Sequence, residues 1–121
     1  MSTIVITGIA RSRAADIARS LAGEGFEIMT ASDYDGVLSL QRGDADYYLG
    51  ICQSGAGAAL ALAVGLLGSR RCATLSTAGA PPAPDAVERA VQDGRIAYGL
   101  AVEHIEDVVP RLIKALQERE A

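Results

Sequence analysis

Hydrophobic and polar positions along the chain switch repeatedly between a period of two and a period near 3.6. Thr3–Thr7 (T-I-V-I-T) is a β-branched run and predicts a strand. Gly8–Arg13 follows as a turn, with Ser12 as a helix N-cap and Asp16 supporting the first turn. Ala14, Ile17, Ala18 and Leu21 then share one helical face. Phe26–Thr30 predicts the second strand. Ser32 and Asp35 form a variant capping box for a helix carrying Val37, Leu38 and Leu40, which Gly43 stops. Tyr47–Cys52 predicts the third strand, Gln53–Gly57 a turn of mostly small residues, and Ala58–Leu67 an apolar helix.

The alternation continues. Cys72–Ser76 predicts a fourth strand, and Thr77–Pro84 is a loop holding three of the four prolines. A helix starts at Pro84 or Asp85, turns Val87, Ala90 and Val91 inward, and closes at Gly94. Ile96–Val102 predicts the fifth strand. The last apolar stripe runs through Ile105, Val108, Val109, Leu112, Ile113 and Leu116; Pro110 either delays the start of that helix to about Val109 or kinks it. Five βα units in series predict one α/β domain over residues 1–121. Its expected form is a three-layer α/β/α sandwich with a five-stranded parallel doubly wound sheet, flavodoxin- or Rossmann-like, in the order 2-1-3-4-5. Ligands in such folds bind beyond the carboxyl ends of the strands, which here puts Arg11 and Arg13 opposite the Gln53–Gly57 turn.

Composition narrows the classes. Half of the 121 residues are hydrophobic and 21% are charged, enough for a packed core. The net charge of −4 argues against a general nucleic-acid binder, which needs a basic face. Two cysteines make no disulfide framework and fit a reducing, cytoplasmic setting. The N-terminus lacks the basic and apolar regions of a signal peptide. Leu49–Gly68 is a twenty-residue uncharged window, but its five glycines and its strand-like first part argue against a membrane span.

The chemistry gathers at Cys52–Gly57 (C-Q-S-G-A-G). One reading is an anion cradle, in which the N–H groups of Ser54, Gly55, Ala56 and Gly57 surround a phosphate or carboxylate, with Gln53 beside them. The other is a tight strand-to-helix turn that needs small residues only for packing. No P-loop motif is present, and Gly55-Ala-Gly57-Ala-Ala-Leu60 is only a fragment of the dinucleotide fingerprint, so no cofactor is expected. Cys52 at a helix N-terminus suits a base or nucleophile; a small buried hydrophobe is the alternative. Cys72, at the start of the fourth strand, reads as core. His104, the only histidine, follows the fifth strand and is either an acid–base group or an exposed first-turn residue. Arg11 and Arg13 are either counter-charges for an anion or solvated side chains. With one histidine and no cysteine cluster, no metal site is expected. Alternation puts Tyr47 and Tyr48 on opposite sheet faces. Ala58–Leu67 is apolar nearly all round, which predicts a homo-oligomer, most simply a dimer.

Two stretches, Asp46–Gly65 (D-Y-Y-L-G-I-C-Q-S-G-A-G-A-A-L-A-L-A-V-G) and Ile96–Ile113 (I-A-Y-G-L-A-V-E-H-I-E-D-V-V-P-R-L-I), closely resemble a small bacterial family of unknown function. Its members are encoded beside a phosphotriesterase-like protein, pyridoxal-phosphate enzymes and a multi-spanning membrane protein. That resemblance implies an accessory partnership with a membrane transporter as one function. More distantly, G-I-C-Q-S-G-A-G resembles the strand and loop of the ribose-5-phosphate isomerase B and galactose-6-phosphate isomerase group. This likeness implies proton transfer by Cys52, with Ser54, Gly55 and Gly57 holding an oxyanion or phosphate. Gln53 stands where that group has a glycine, and T-G-I-A-R-S-R lacks the group's Asp-His pair. The loop is also similar to the C-x-x-G-x-G loop of phosphotransfer-system IIB domains, although there the cysteine follows the first strand. The expected function is binding of a small anionic metabolite, with isomerase-like proton transfer by Cys52 and His104 as one outcome and a non-catalytic transport subunit as the other.

Overall fold

The computed structural model describes residues 1–55 and 57–121. Five strands and five main helices alternate: β1 (Ser2–Gly8), α1 (Arg11–Ala22), β2 (Phe26–Ala31), α2 (Asp33–Arg42), β3 (Tyr47–Cys52), α3 (Ala58–Leu67), β4 (Cys72–Thr74), α4 (Ala86–Gln92), β5 (Ala97–Ala101) and α5 (Ile105–Glu120). All strand pairs are parallel, and helices cover both sheet faces. Ile4, Ile6, Leu49, Ile51, Tyr98 and Leu100 pack under α1, α4 and α5, while Val5, Tyr48 and Ala97 pack under α2 and α3. This is the expected three-layer doubly wound sandwich. Tyr47 and Tyr48 fall in opposite layers, as a two-residue period requires.

The strand order is 2-1-3-5-4, not 2-1-3-4-5. β5 is buried at every position, whereas β4 has three residues and its last is exposed. A fully buried strand belongs between two neighbours, and a short one with an exposed end belongs at an edge. β5 therefore takes the place beside β3, which sets Ala101 in register with Cys52.

Local corrections have equally local causes. α1 begins at Arg11 behind a left-handed Ala10, so Ser12 lies inside the helix and is not its cap. Its buried face is Ala14, Ala15, Ala18 and Ala22, rotated from the expected one, and Leu21 is exposed. Small residues on that face let α1 sit close to the sheet and α5. Ser32 caps α2 as expected by accepting the Asp35 N–H. α5 starts at Ile105 and carries Pro110 inside, directly after a 3-10 turn over Val102–His104. Its apolar stripe seals the core across from α1: Ile105, Val108, Val109, Leu112, Ile113 and Leu116 are all buried. Burial of each large aliphatic chain there is worth about 1.5–3 kcal/mol, enough to offset the one backbone bond that Pro110 cannot make.

The uncharged window Leu49–Gly68 resolves into β3, a turn and a ten-residue helix. Among the described residues, no helix is long and apolar enough to cross a membrane. Leu66 and Val64 of α3 remain 42% and 36% exposed.

Candidate functional site

β3 ends at Cys52, and the chain must then reverse into α3 within five residues. Gly55 makes that turn at φ +87, a left-handed conformation that costs other residues about 1–2 kcal/mol. A Cβ there would also lie 1.8 Å from the Ser76 carbonyl oxygen. The turn folds over β5, where a Cβ on Gly99 would meet the Gly55 carbonyl oxygen at 2.7 Å. Ala78 N–H donates to the Ser54 carbonyl at 3.1 Å. The Cys52 turn, the end of β4 and the start of the following loop thus form one packed unit at the carboxyl edge of the sheet.

The Gly55 and Gly57 N–H groups point inward. Gly55 N–H donates to Cys52 Sγ at 3.0 Å and Gly57 N–H at 3.2 Å, with Ser54 Oγ 3.7 Å from the sulfur. The cradle expected for an external anion is therefore occupied, at Gly55 and Gly57, by the protein's own sulfur. Burial pushes the Cys52 thiol up, but the Gly57 N–H, the Ser54 hydroxyl and the Gly55 and Ser54 N–H groups together hold it below its ordinary value. The sulfur is half-buried, and these donors favour its thiolate form. Ala56, also expected in the cradle, lies outside the described residues.

His104 comes from the 3-10 turn after β5. It is no exposed first-turn residue, because its side chain keeps only 11% of its accessibility. Nδ1 lies 2.9 Å from Ser76 Oγ, and Nε2 lies 3.9 Å from Glu103 Oε2. Ser76 Oγ also accepts the Ala101 N–H at 3.1 Å. That bond continues the β4–β5 ladder past Leu75 N–H to Gly99 O, with a side-chain oxygen in place of a carbonyl. Ser76 is 4% exposed, so it is a support and not a nucleophile. Sequence reading passed over it. Its signal was the serine of T-L-S-T, just past the carboxyl end of an edge strand. Glu103 Oε1 accepts the Gly79 N–H at 3.0 Å, which ties the loop after β4 to the same corner.

The arginines divide. Arg13 is engaged by Glu106 of α5 (Nε to Oε2, 2.7 Å), and this pairing draws the Glu106 carboxyl below its usual range. It is therefore not a free counter-charge. Arg11 is exposed at the first residue of α1, just after the loop that runs beside β3 through Ile9 N–H to Ile51 O at 2.9 Å. Gln53 is exposed. Cys72 is buried, with its thiol pushed up by burial, in keeping with a core role. No group of three or more histidine, cysteine, aspartate or glutamate side chains that could hold a metal occurs among the described residues. Clefts of about 380 and 420 Å³ lie between α4 and α5 and beside the chain termini, away from Cys52.

Comparison with known proteins extends this picture at the level of family and fold. Residues 2–116 match the family model described as protein of unknown function DUF2620. Uncharacterized protein YhfU of Escherichia coli is 31% identical over 117 residues, covering 97% of this chain and all of that protein, and the same figures hold for YhfU of Shigella flexneri. Among solved structures, ribose-5-phosphate isomerase B from Giardia lamblia shares the fold with a TM-score of 0.70 at 18% identity, covering 97% of this chain and 94% of that one. The family model and the full-length relatives agree, and the chain belongs to the DUF2620 family of proteins of unknown function.

Proposed function

We propose that this protein binds a small phosphorylated or carboxylated metabolite at the carboxyl edge of its sheet and moves a proton next to a carbonyl with Cys52. The observation that carries the reading is the sulfur itself, which receives two backbone N–H groups at 3.0 and 3.2 Å where the chain turns into α3. Donors that favour the thiolate suit the sulfur to act as a base. It removes the proton from the carbon beside the carbonyl. In an α-hydroxy carbonyl substrate the electron pair passes to the carbonyl oxygen, giving an enediolate. The proton of the adjacent hydroxyl then passes to that oxygen, the new thiol returns its proton to the former carbonyl carbon, and the carbonyl re-forms one carbon along.

With the Gly55 and Gly57 N–H groups turned to the sulfur, the ligand's anionic group needs other partners. The first-turn N–H groups of α3, which no intrahelical carbonyl takes, and the exposed Arg11 supply them in this reading. The isomerase fold shared with the Giardia protein supports a sugar-phosphate substrate class. Self-association through the outer face of α3 belongs to the same proposal, because Val64 and Leu66 leave apolar surface open there.

The test is deuterium incorporation from heavy water into aldose and ketose phosphates, with Cys52→Ala beside the wild type. We expect exchange in the wild type and a loss of at least about 100-fold in the variant. No exchange across the panel, together with equal ligand binding by both proteins, overturns the reading.

A further inference from the structure

Ser76 touches both halves of the site. Its carbonyl oxygen fills the space where Gly55 would carry a Cβ, and its hydroxyl meets His104. The hydrogen-bond inventory around that hydroxyl decides the state of the imidazole. Ala101 N–H can only donate, so Ser76 Oγ accepts there. At 4% exposure the hydroxyl hydrogen cannot go to bulk water, and a buried donor left unpaired costs about 1–3 kcal/mol. His104 Nδ1, at 2.9 Å, is an acceptor within reach. With the hydroxyl hydrogen given to Nδ1, that nitrogen is the unprotonated one of the neutral ring, and Nε2 carries the hydrogen.

That Nε2–H has no hydrogen bond to the nearest carboxylate. Glu103 Oε2 is 3.9 Å away, beyond hydrogen-bond range, and the other Glu103 oxygen is committed to Gly79 N–H. The ring stands after β5, and β5 is in register with β3 so that Ala101 pairs with Cys52. We propose that Ser76 is a positioning residue that fixes His104 as the Nε2–H tautomer, and that His104 Nε2–H is the hydrogen-bond donor to the substrate's carbonyl oxygen. The inference rests on the proton transfer proposed for Cys52 and assigns it an electrophile. As the thiolate takes the proton from carbon, charge develops on the carbonyl oxygen. A neutral imidazole donor stabilises that charge without giving up its own proton.

A single histidine makes the test direct. Nitrogen-15 labelling of histidine reports one ring. In the wild type with a neutral ring, Nε2 is expected to be protonated and Nδ1 not. Ser76→Ala is expected to convert this into an exchanging mixture of tautomers, and Ser76→Thr, which keeps the hydroxyl, to restore a single form. With a turned-over sugar phosphate, Ser76→Ala is expected to lower kcat about tenfold with KM held within about twofold. A protonated Nδ1 in the wild type overturns the assignment, as does an unchanged single tautomer in Ser76→Ala. If Ser76→Ala fails to fold, the wild-type and Ser76→Thr spectra still decide. The spectra need no substrate, so an absence of turnover strikes the proton-transfer reading alone and leaves the Ser76–His104 pairing standing.

Discussion

Gly57→Ala probes the sulfur nest without breaking the fold. Gly57 has φ −84, open to any L-residue, so the substitution carries no backbone strain. The added methyl would lie 3.2 Å from Cys52 Sγ and 3.4 Å from both Cys52 Cβ and Ser54 Oγ. These contacts are a few tenths of an ångström too close, and the sulfur yields because it ends a rotatable side chain. Moving it away lengthens the bonds from Gly57 and Gly55 N–H, now 3.2 and 3.0 Å. Weakening two charge-assisted bonds in part costs the thiolate about 1.4 kcal/mol, which raises the thiol pKa by roughly one unit. Well below both pKa values the thiolate fraction then falls about tenfold. A more basic thiolate is intrinsically more nucleophilic, with a Brønsted coefficient of about 0.4–0.5, which returns about threefold. The net expectation is reaction with a small aromatic disulfide about three- to fourfold slower than wild type at low pH. Above both pKa values the order inverts, and the variant is about threefold faster. The rate is followed by release of the coloured thiol across pH in a Cys72→Ala background, which removes the buried second cysteine. Superimposable profiles, or a wild-type midpoint at or above the ordinary thiol value of 9.0, would refute the argument.

Two further outcomes follow from other parts of the molecule. Glu120 accepts bonds from Ser2 Oγ (2.6 and 2.7 Å) and from Tyr47 Oη (2.6 Å), which hold its carboxyl below the usual 4.5. A depressed folded-state value means that this stability is present above about pH 4.5 and lost as pH falls through the folded value. Glu120→Gln should therefore cost about 0.5–1 kcal/mol at pH 7, discounted for solvent screening, and less at pH 3. Urea unfolding at the two pH values checks this, and an equal deficit at both contradicts it. Leu66→Glu places a charge on the open face of α3. Sedimentation equilibrium is expected to show a wild-type dimer that the variant converts to monomer, and a monomeric wild type would end the self-association reading.

Sequence patterning alone determined the element types and several boundaries. Tyr47–Cys52 and Ala58–Leu67 came out residue for residue, since a continuous apolar run, a glycine-bearing turn and a further apolar run are local signals. The opposite facing of Tyr47 and Tyr48 and the cap at Ser32 are local as well. The position of Cys52 at the carboxyl edge of the sheet was also legible, because a strand-to-helix turn in an α/β chain falls there.

Tertiary structure decided how those pieces meet. Chain order suggested β4 beside β3, but burial along the whole of β5 put β5 there instead. Sequence spacing placed glycines near Cys52 without saying where their N–H groups point; only the path of the turn over Gly99 and against Ser76 aims them at the sulfur. Arg13 was lost to Glu106, 93 residues away, and His104 was taken by Ser76, 28 residues away. A period of 2 or 3.6 records which side of an element is buried. It carries no information on which distant element arrives there, because that choice is made by packing across the whole sheet.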